Sequence, residues 1–527
     1  MKKLIIKIII YILLLLGSFY ITLPPINIHS VEFWLFVFFF YFIAVFLFHD
    51  YKRAFYDTRT HTIVNLKYKP LLFIIPAGVF VIGLIVNFII SPVFMSKAFS
   101  ERITIDTSKT FIEDVKEVDF NHVPLLDRDS TEKIGDRVVG EMTDLVSQFY
   151  VSNMYTQINY NNKIVRVTPL EYYSFIKWLT NRKTGINAYV QVDSVTGEAS
   201  LVRLKQGMKY IPSAYFNDNT YRILRFRYPT FIFGDYNFEI DNDGNPFFIY
   251  PVKKYSGIEV KEDVQGVVIF NPINKESKYY DVKDVPNFVD HVYNPSLILE
   301  QVNDWGKYRN GFINSIFGQK NVVATTEGYN YMVQDDDVYL YTGITSVVSD
   351  ESNLGFILTN LRTKETNYYA VSGAEEFSAM SSAEGEVQEM GYVSTFPLLI
   401  NLNNRPTYMV SLKDNAGLVK MYGFVDVQDY QKVSVTEASY GIFKAKDNYL
   451  KVFGKTDTPT DITITVKSIK EVIIDSNTYY YLEDIDNNKY RVSIKVNEEL
   501  LPFVKVGDKL SISFTDGTVR EIYSIVY

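Results

Sequence analysis

The sequence predicts an α+β protein: three N-terminal transmembrane helices, tandem antiparallel sheet-plus-helix modules, and a C-terminal OB-like small β-barrel. Three observations predict it. The first 94 residues hold three long apolar runs, the middle of the chain repeats a strand–turn–strand pattern, and the segment after residue 461 reads as five evenly spaced short strands.

The runs are Leu4–Leu23, Val31–Phe48 and Pro70–Phe94. Each is about as long as the ~17–25 residues a helix needs to cross a bilayer. The first holds one charge, Lys7, near its end, where the stem reaches the interface. The third holds Pro76, Gly78, Gly83, Asn87 and Pro92, which spanning helices tolerate when neighbours re-satisfy the backbone. A cleaved signal peptide is the alternative for the first run, because Lys2 and Lys3 precede an apolar core. No Ala-x-Ala site follows, Pro24-Pro25 comes next, and two more runs follow, so an uncleaved helix is expected.

Loop charges set the expected orientation. Lys2, Lys3 and Lys7 flank the first run, the loop Leu23–Ser30 has no Lys or Arg, and the loop His49–Lys69 has Lys52, Arg53, Arg59, Lys67 and Lys69. The positive-inside rule then places the N-terminus in the cytoplasm and everything after Phe94 outside, in a multi-pass cell-membrane protein. The expected division is a membrane anchor over 1–96, a juxtamembrane helical region over 97–185, sheet-plus-helix modules over 186–442 and a barrel over 462–527.

Of 527 residues, about 430 follow the anchor, enough for two to four domains. A net charge of −8 and a pI of 5.4 give no reason to expect nucleic acid as a partner. The chain has no Cys, which excludes disulfides, a Cys nucleophile and a zinc–thiolate centre. The 41 Tyr and 38 Phe suit aromatic-rich strands.

A helix is expected from Asp129, with Ile134, Val138, Met142, Leu145 and Phe149 at helical spacing, and a second over Pro169–Leu179 with Pro169 in its first turn. Four stretches then share one pattern: Ile186–Leu204, Gly266–Val282, Leu354–Val371 and Thr407–Val425. Their turns are Thr196-Gly197-Glu198, Asn274-Lys275-Glu276, Thr363-Lys364-Glu365 and Asn415-Ala416-Gly417. They read as hairpins with one buried face. Partner hairpins precede at Phe238–Val252, Tyr329–Tyr341 and Phe396–Val410, and helices follow at Val285–Val292 and Gly373–Gly385. Leu297–Thr326 reads as a helix and a Gly-punctuated loop connecting modules, with pocket lining as the alternative. Phe443–Asp461 reads as a linker. The barrel strands are expected at Ile462–Val472, Thr478–Leu482, Lys489–Ile494, Leu510–Phe514 and Thr518–Ile525.

The strand–turn–strand pattern, clearest at Val192-Asp193-Ser194-Val195-Thr196-Gly197-Glu198, resembles PepSY-type modules over about Ile186–Val433. That resemblance implies small extracytoplasmic α+β units with a binding or regulatory habit, some beside peptidases, and no catalytic residues. The whole chain also resembles membrane proteins of Gram-positive bacteria.

No stretch carries a catalytic signature. Gly-x-Ser-x-Gly, His-Glu-x-x-His, Walker A and Rossmann glycine patterns are all missing. Asp241-x-Asp243-Gly244 resembles the start of a calcium loop, but an apolar strand follows, so a tight hairpin turn is expected. Asp335-Asp336-Asp337 reads as a solvated turn, and Glu375, Glu376 and Glu384 as a solvated helix face. His122 and His291 have no metal-spaced partner. No catalytic, cofactor-binding or metal residue is therefore expected, and no cofactor. The expected function is a non-enzymatic membrane protein that binds or scaffolds an envelope partner: another protein, a cell-wall polymer, or a copy of itself. The alternatives are a regulator of an exported peptidase and a wall-active enzyme using paired carboxylates.

Overall fold

The computed structural model describes residues 2–48, 56–57, 62–63, 71–140, 143–347, 349–453, 462–474, 477–515 and 519–527. Among them, α1 (Lys2–Thr22), α2 (Val31–Phe48) and α3 (Leu71–Ile90) are long and apolar enough to cross a membrane. The third apolar run breaks at Ser91, and Pro92 opens a separate helix, α4 (Pro92–Ser100), at the position where its missing N–H costs nothing. The basic loop residues Lys52, Arg53, Arg59, Lys67 and Lys69 lie outside the described residues.

The end of α1, the start of α2 and the end of α3 all meet the polar body. Arg225 Nε donates to Leu23 O at 2.9 Å, and His29 Nδ1 lies 2.8 Å from Gly257 O. Asn87 holds both backbone groups of Ile258, at 3.0 and 2.8 Å. The amide side chain inside an apolar helix thereby finds both an acceptor and a donor in the body's backbone.

Four sheets follow with one strand order. In each, two short strands share one edge of a long strand, and two more strands continue the meander on its other edge. The first sheet has Phe149–Val151 and Thr156–Tyr160 on Lys163–Tyr172, then Ile186–Asp193 and Ala199–Met208. The second has Ile232–Phe233 and Asn237–Ile240 on Pro246–Lys254, then Asp263–Phe270 and Ser277–Asp281. The third has Val323–Thr325 and Asn330–Gln334 on Asp337–Ser346, then Ser349–Asn360 and Thr366–Tyr369. The fourth has Val393–Ser394 and Leu398–Asn401 on Pro406–Lys413, then Val419–Asp426 and Val433–Glu437.

The likeness extends to single atoms. Where the short edge strands part, one hydrogen bond bridges the gap in every sheet. Ser152 N donates to Pro169 O, Gly234 N to Pro251 O, Thr326 N to Gly343 O and Thr395 N to Ser411 O, all within 2.8–3.0 Å. In the first two sheets the long-strand residue at that gap is a proline, Pro169 or Pro251, which gives up no ladder bond there, whereas in the fourth Ser411 N donates to Thr395 Oγ1 at 3.1 Å. The last hairpin of each sheet opens on Asp193, Asn271, Asn360 or Asp426. Each side-chain oxygen accepts the amides two and three residues on, at 2.8–3.2 Å. The next residue's carbonyl then receives amides from the segment that leads into that sheet's helix: Leu125 and Leu126 to Ser194, Lys209 and Tyr210 to Pro272, Val292 and Tyr293 to Leu361, and Ala374 to Val427.

These bonds correct the expected repeat in two ways. The helix precedes its sheet: Arg128–Gly140, Thr220–Arg227, Pro295–Tyr308 and Glu376–Gly385 lead the four sheets. In the fourth sheet the equivalent turn is Asp426–Lys432, whereas Asn415-Ala416-Gly417 belongs to a different hairpin built on Asp414. Three sequence-expected helices also change. The first covers Arg128–Gly140, Leu145 lies in the short helix Thr143–Val146, and Phe149 begins a strand; Met142 lies outside the described residues. Pro169–Tyr172 completes a strand, and the helix starts after the Ser174 cap, over Phe175–Asn181. Val285–Val292 is not helical; Asn294 caps a helix that begins at Pro295. The region expected to be helical, 97–185, therefore contributes three strands to the first sheet and one, Ile105–Asp106, to the third. The first part of the expected linker Phe443–Asp461 lies in a helix, Ile442–Val452, with Tyr449 and Leu450 buried; residues 454–461 lie outside the described residues.

The hairpins of the second and third sheets bury both faces, not one. Phe248, Tyr250, Val268 and Phe270 pack toward the first sheet, while their neighbours Ile249, Val267 and Ile269 pack toward the third. Tyr341, Phe356 and Leu358 of the third sheet then face the fourth. A strand buried on both sides reads as a continuous apolar run, as Gly266–Phe270 does. The segment 105–127 ties these layers together. Ile105–Asp106 pairs in parallel with the third sheet, Glu117 bridges to Asn401 of the fourth, and the Leu125 amide reaches Ser194 of the first.

The last five strands, Ile462–Ile474, Asn477–Asp484, Lys489–Ser493, Lys509–Thr515 and Arg520–Val526, close into a barrel. The first pairs with the second and fourth, and the third and fifth run parallel. Val466, Tyr490, Leu510, Ile512 and Ile522 fill it. Tyr523 stacks on Phe443 of the preceding helix at 5.3 Å.

Because adjacent positions of one strand face two cores, Phe248→Ala and Ile249→Ala are both expected to destabilise the protein, by about 3–5 and 2–5 kcal/mol. Thermal unfolding of the detergent-solubilised chain checks this; a near-neutral result for either would mean that its face is not packed.

Candidate functional site

Where α1 meets the body, a groove of about 780 Å³ opens beside Tyr20 and Ile21. Its walls come from four separate stretches: Tyr150, the strand end Glu171–Tyr173, the loop Pro212–Phe216 with Asn219 and Arg222, and Tyr236. Register places Tyr150 directly opposite Glu171, and its hydroxyl donates to Glu171 Oε2 at 2.5 Å. Tyr173 lies edge-on to Tyr150 at 5.9 Å, and Tyr215 packs on Phe175 at 5.2 Å and Trp178 at 5.5 Å. Trp178 is buried and serves as the floor for this aromatic layer.

The polar groups are held by backbone. Asn219 caps the helix that starts at Thr220, accepting from Arg222 N at 3.0 Å, while its Nδ2 donates to Pro212 O at 2.7 Å. Arg222 donates to Phe216 O at 2.6 Å and to Tyr20 O at 3.2 Å, and its guanidinium lies 4.4 Å over the Tyr20 ring. Ser213 Oγ accepts from Tyr172 N at 3.1 Å. The Tyr172 hydroxyl is buried and finds no partner among the described residues. Burial, then the Glu171 carboxylate, pushes the Tyr150 phenol up, and burial does the same to Tyr172 and Tyr236. These phenols therefore stay protonated, and Tyr150 donates to Glu171. The groove thus offers aromatic rings, one carboxylate and one guanidinium, none of them singled out from the sequence.

A second groove of about 630 Å³ lies between Trp305, Arg309, Asn321 and Tyr368, so the stretch expected as a connector does line a pocket. There the Arg309 guanidinium covers Trp305 at 4.4 Å and donates to Asn321 O at 2.7 Å.

The residues weighed from sequence do not assemble into a site. Asp241 spends its carboxylate on its own turn, accepting from Asp243 N, Asn245 N and Asn245 Nδ2 at 2.8–3.0 Å. The acidic trio diverges: Asp335 pairs with Lys116, Asp336 accepts from Asn159, and Asp337 takes Arg362 in a two-pronged pair. His122 bonds Asp119 at the surface. His291 is buried, its Nε2 lies 2.7 Å from Gln157 O, and burial lowers its pKa to about 4. Beside it Glu239 accepts the amides of Asp290 and His291, and burial pushes Glu239 up to about 7. Glu239 and Asp290 are a close carboxylate pair, but they are sealed at 0 and 2 % exposure, away from either groove. Among the described residues no group of three or more His, Asp or Glu is placed to hold a metal ion.

Glu376 and Glu384 are corrections. Glu384 accepts the Ser394 amide at 2.8 Å, and Glu376 opens its helix fully buried near Thr326, Gly343, Tyr341 and Tyr408. No known protein family matches the chain, and no curated protein matches it.

Burial pushes Glu376 up to about 7 from an ordinary 4.5. Between those values the folded state keeps a proton that the unfolded chain has lost, so stability falls as pH rises through this window. Glu376→Gln is expected to raise stability at pH 8 by up to about 3 kcal/mol and to change little near pH 4.5. Melting temperatures of both chains from pH 4.5 to 8 check this.

Proposed function

We propose that this is a non-catalytic, membrane-anchored envelope protein whose body lies outside the cell and binds a cell-wall saccharide in the tyrosine groove. One observation carries the reading: several tyrosine rings line one groove together with a carboxylate and a guanidinium. Aromatic faces stack on the apolar faces of sugar rings, while the charged and hydroxyl groups take ring hydroxyls. Glu171 works here as an acceptor that orients a ligand. The barrel's strand order, with a long first strand shared between the second and fourth, supports reading it as OB-like. Such barrels bind oligosaccharides or oligonucleotides on their second and third strands. Tyr479, Tyr481 and Arg491 stand on those strands, with Arg491 5.4 Å over Tyr479. Net charge favours the saccharide.

The shared strand order and hydrogen bonds of the four sheets support reading them as tandem PepSY-like modules, and this favours a second reading, a regulator of an exported peptidase. Deleting the gene is then expected to change proteolysis of secreted proteins; unchanged proteolysis removes that reading.

For the saccharide reading, the full chain in detergent is expected to co-sediment with isolated cell walls and to release no soluble fragments. Tyr150→Ala and Tyr215→Ala are each expected to weaken binding about tenfold, the equivalent of ~1.4 kcal/mol. A parent chain left in the supernatant would overturn the proposal. For the orientation, external protease on intact cells is expected to remove a C-terminal tag; a protected tag would reverse it.

A further inference from the structure

Tyr20 and Phe19 lie in the last turn of α1, and they are touched from the side by the body. Phe226, 56 % exposed, packs against Phe19 at 5.9 Å and Tyr20 at 6.2 Å. Phe19 is three residues inside the end of α1, so Phe226 reaches about 4.5 Å below that end at 1.5 Å per residue. Asn217 Oδ1 accepts the Tyr20 hydroxyl at 3.0 Å, so the loop that carries Phe216 also meets the last turn of α1. Phe216 is held at φ 51°, a conformation that a bulky residue rarely adopts, and its ring is 54 % exposed. It packs on Trp178 at 5.8 Å and Phe175 at 6.2 Å, which join it to the short helix Phe175–Asn181. That helix turns Ile176, 60 % exposed, and Leu179, 47 % exposed, to one side, since positions three apart share a face. Lys177 stands on the same helix, and Arg182 just after it covers Trp178 at 4.6 Å and pairs with Asp218 at 3.0 Å.

We infer that this apolar patch of the body (Phe175, Ile176, Leu179, Phe216 and Phe226) is immersed in the bilayer beside α1. The occupant follows from continuity. α1 spans the membrane, Phe226 touches it inside its last turn, and every other patch residue is joined to that contact through Phe216 and Asn217. Large exposed apolar side chains at that depth meet the boundary between headgroups and hydrocarbon, where aromatic rings and snorkelling Lys and Arg accumulate. The body is then seated on the membrane by a lateral foot as well as by its spans, and the tyrosine groove opens at the bilayer surface. The inference does not rest on the saccharide reading.

The chain has no Cys, so single-Cys variants carry one spin label each. Ile176→Cys, Leu179→Cys and Phe216→Cys in the full chain are reconstituted into lipid nanodiscs, with Val506→Cys, on the barrel and 64 % exposed, as the water-facing control. Collision with oxygen reports lipid, and collision with a water-soluble nickel chelate reports water. Oxygen collisions several-fold above chelate collisions at the three patch sites, with the reverse order at Val506, are the expected result. Patch sites that behave like Val506 would overturn the inference. Sites shielded from both reagents would also overturn it, because they would show the patch covered by protein, such as a second copy of the chain. Melting temperatures matching the parent establish that each variant folds.

Discussion

None of the four stacked sheets closes its own core, whereas the C-terminal barrel does. Each stacked sheet has five or more short strands and one helix of modest length, too little to cover two apolar faces. The second sheet gives Phe248 and Tyr250 to a core shared with the first, and Ile249 and Ile269 to one shared with the third. The third shares its other face with the fourth through Tyr341 and Phe356. Burial is thus continuous along the stack, as in solenoids whose repeats are stable only against neighbours. The terminal sheets need other covers. The fourth takes the helix Ile442–Val452 and the segment 111–125, and the first takes the helix Arg128–Gly140.

The same constraint explains the segment 105–127. It runs past the third and fourth sheets before reaching the first, so sheets at the two ends of the stack are held by one strand of chain. Lys413 pairs with Asp127 at 2.5 Å and Ser411 donates to Leu125 O at 3.0 Å, both tying the fourth sheet to the lead-in of the first. Chain order alone would leave those sheets far apart.

The tyrosine groove sits where this body meets α1, and it inherits its order from structural devices. The Asn219 cap, the Tyr150–Glu171 register and the Arg222 bonds to backbone each serve folding, yet together they place aromatic faces around one opening. Arg225, 1 % exposed and bonded to Leu23 O, holds the same junction from inside. A site assembled this way leaves no motif, because its residues come from positions 20, 150, 171–173, 212–222 and 236.

The sequence by itself determined what local physics controls. Apolar length marked the three helices, and alternation with Asp, Asn and Gly marked the hairpins and the five barrel strands to within a few residues. Turn chemistry is local: Gly197, Lys275 and Lys364 occupy the same positive-φ position in three sheets, and the Asp or Asn four residues before each organises the turn. Tertiary structure alone decided what depends on partners distant in sequence. Pro169 suited a helix start by propensity, but it lies in a strand, because strand pairing with Tyr189 outweighs a weak local preference. Glu376 looked solvated, as charged residues in a helix's first turn usually are, and the fold buried it because the third and fourth sheets close over that end. Which helix belongs to which sheet, how many faces are buried and where the groove opens all rest on long-range contacts. Periodicity within a strand or helix carries no record of them.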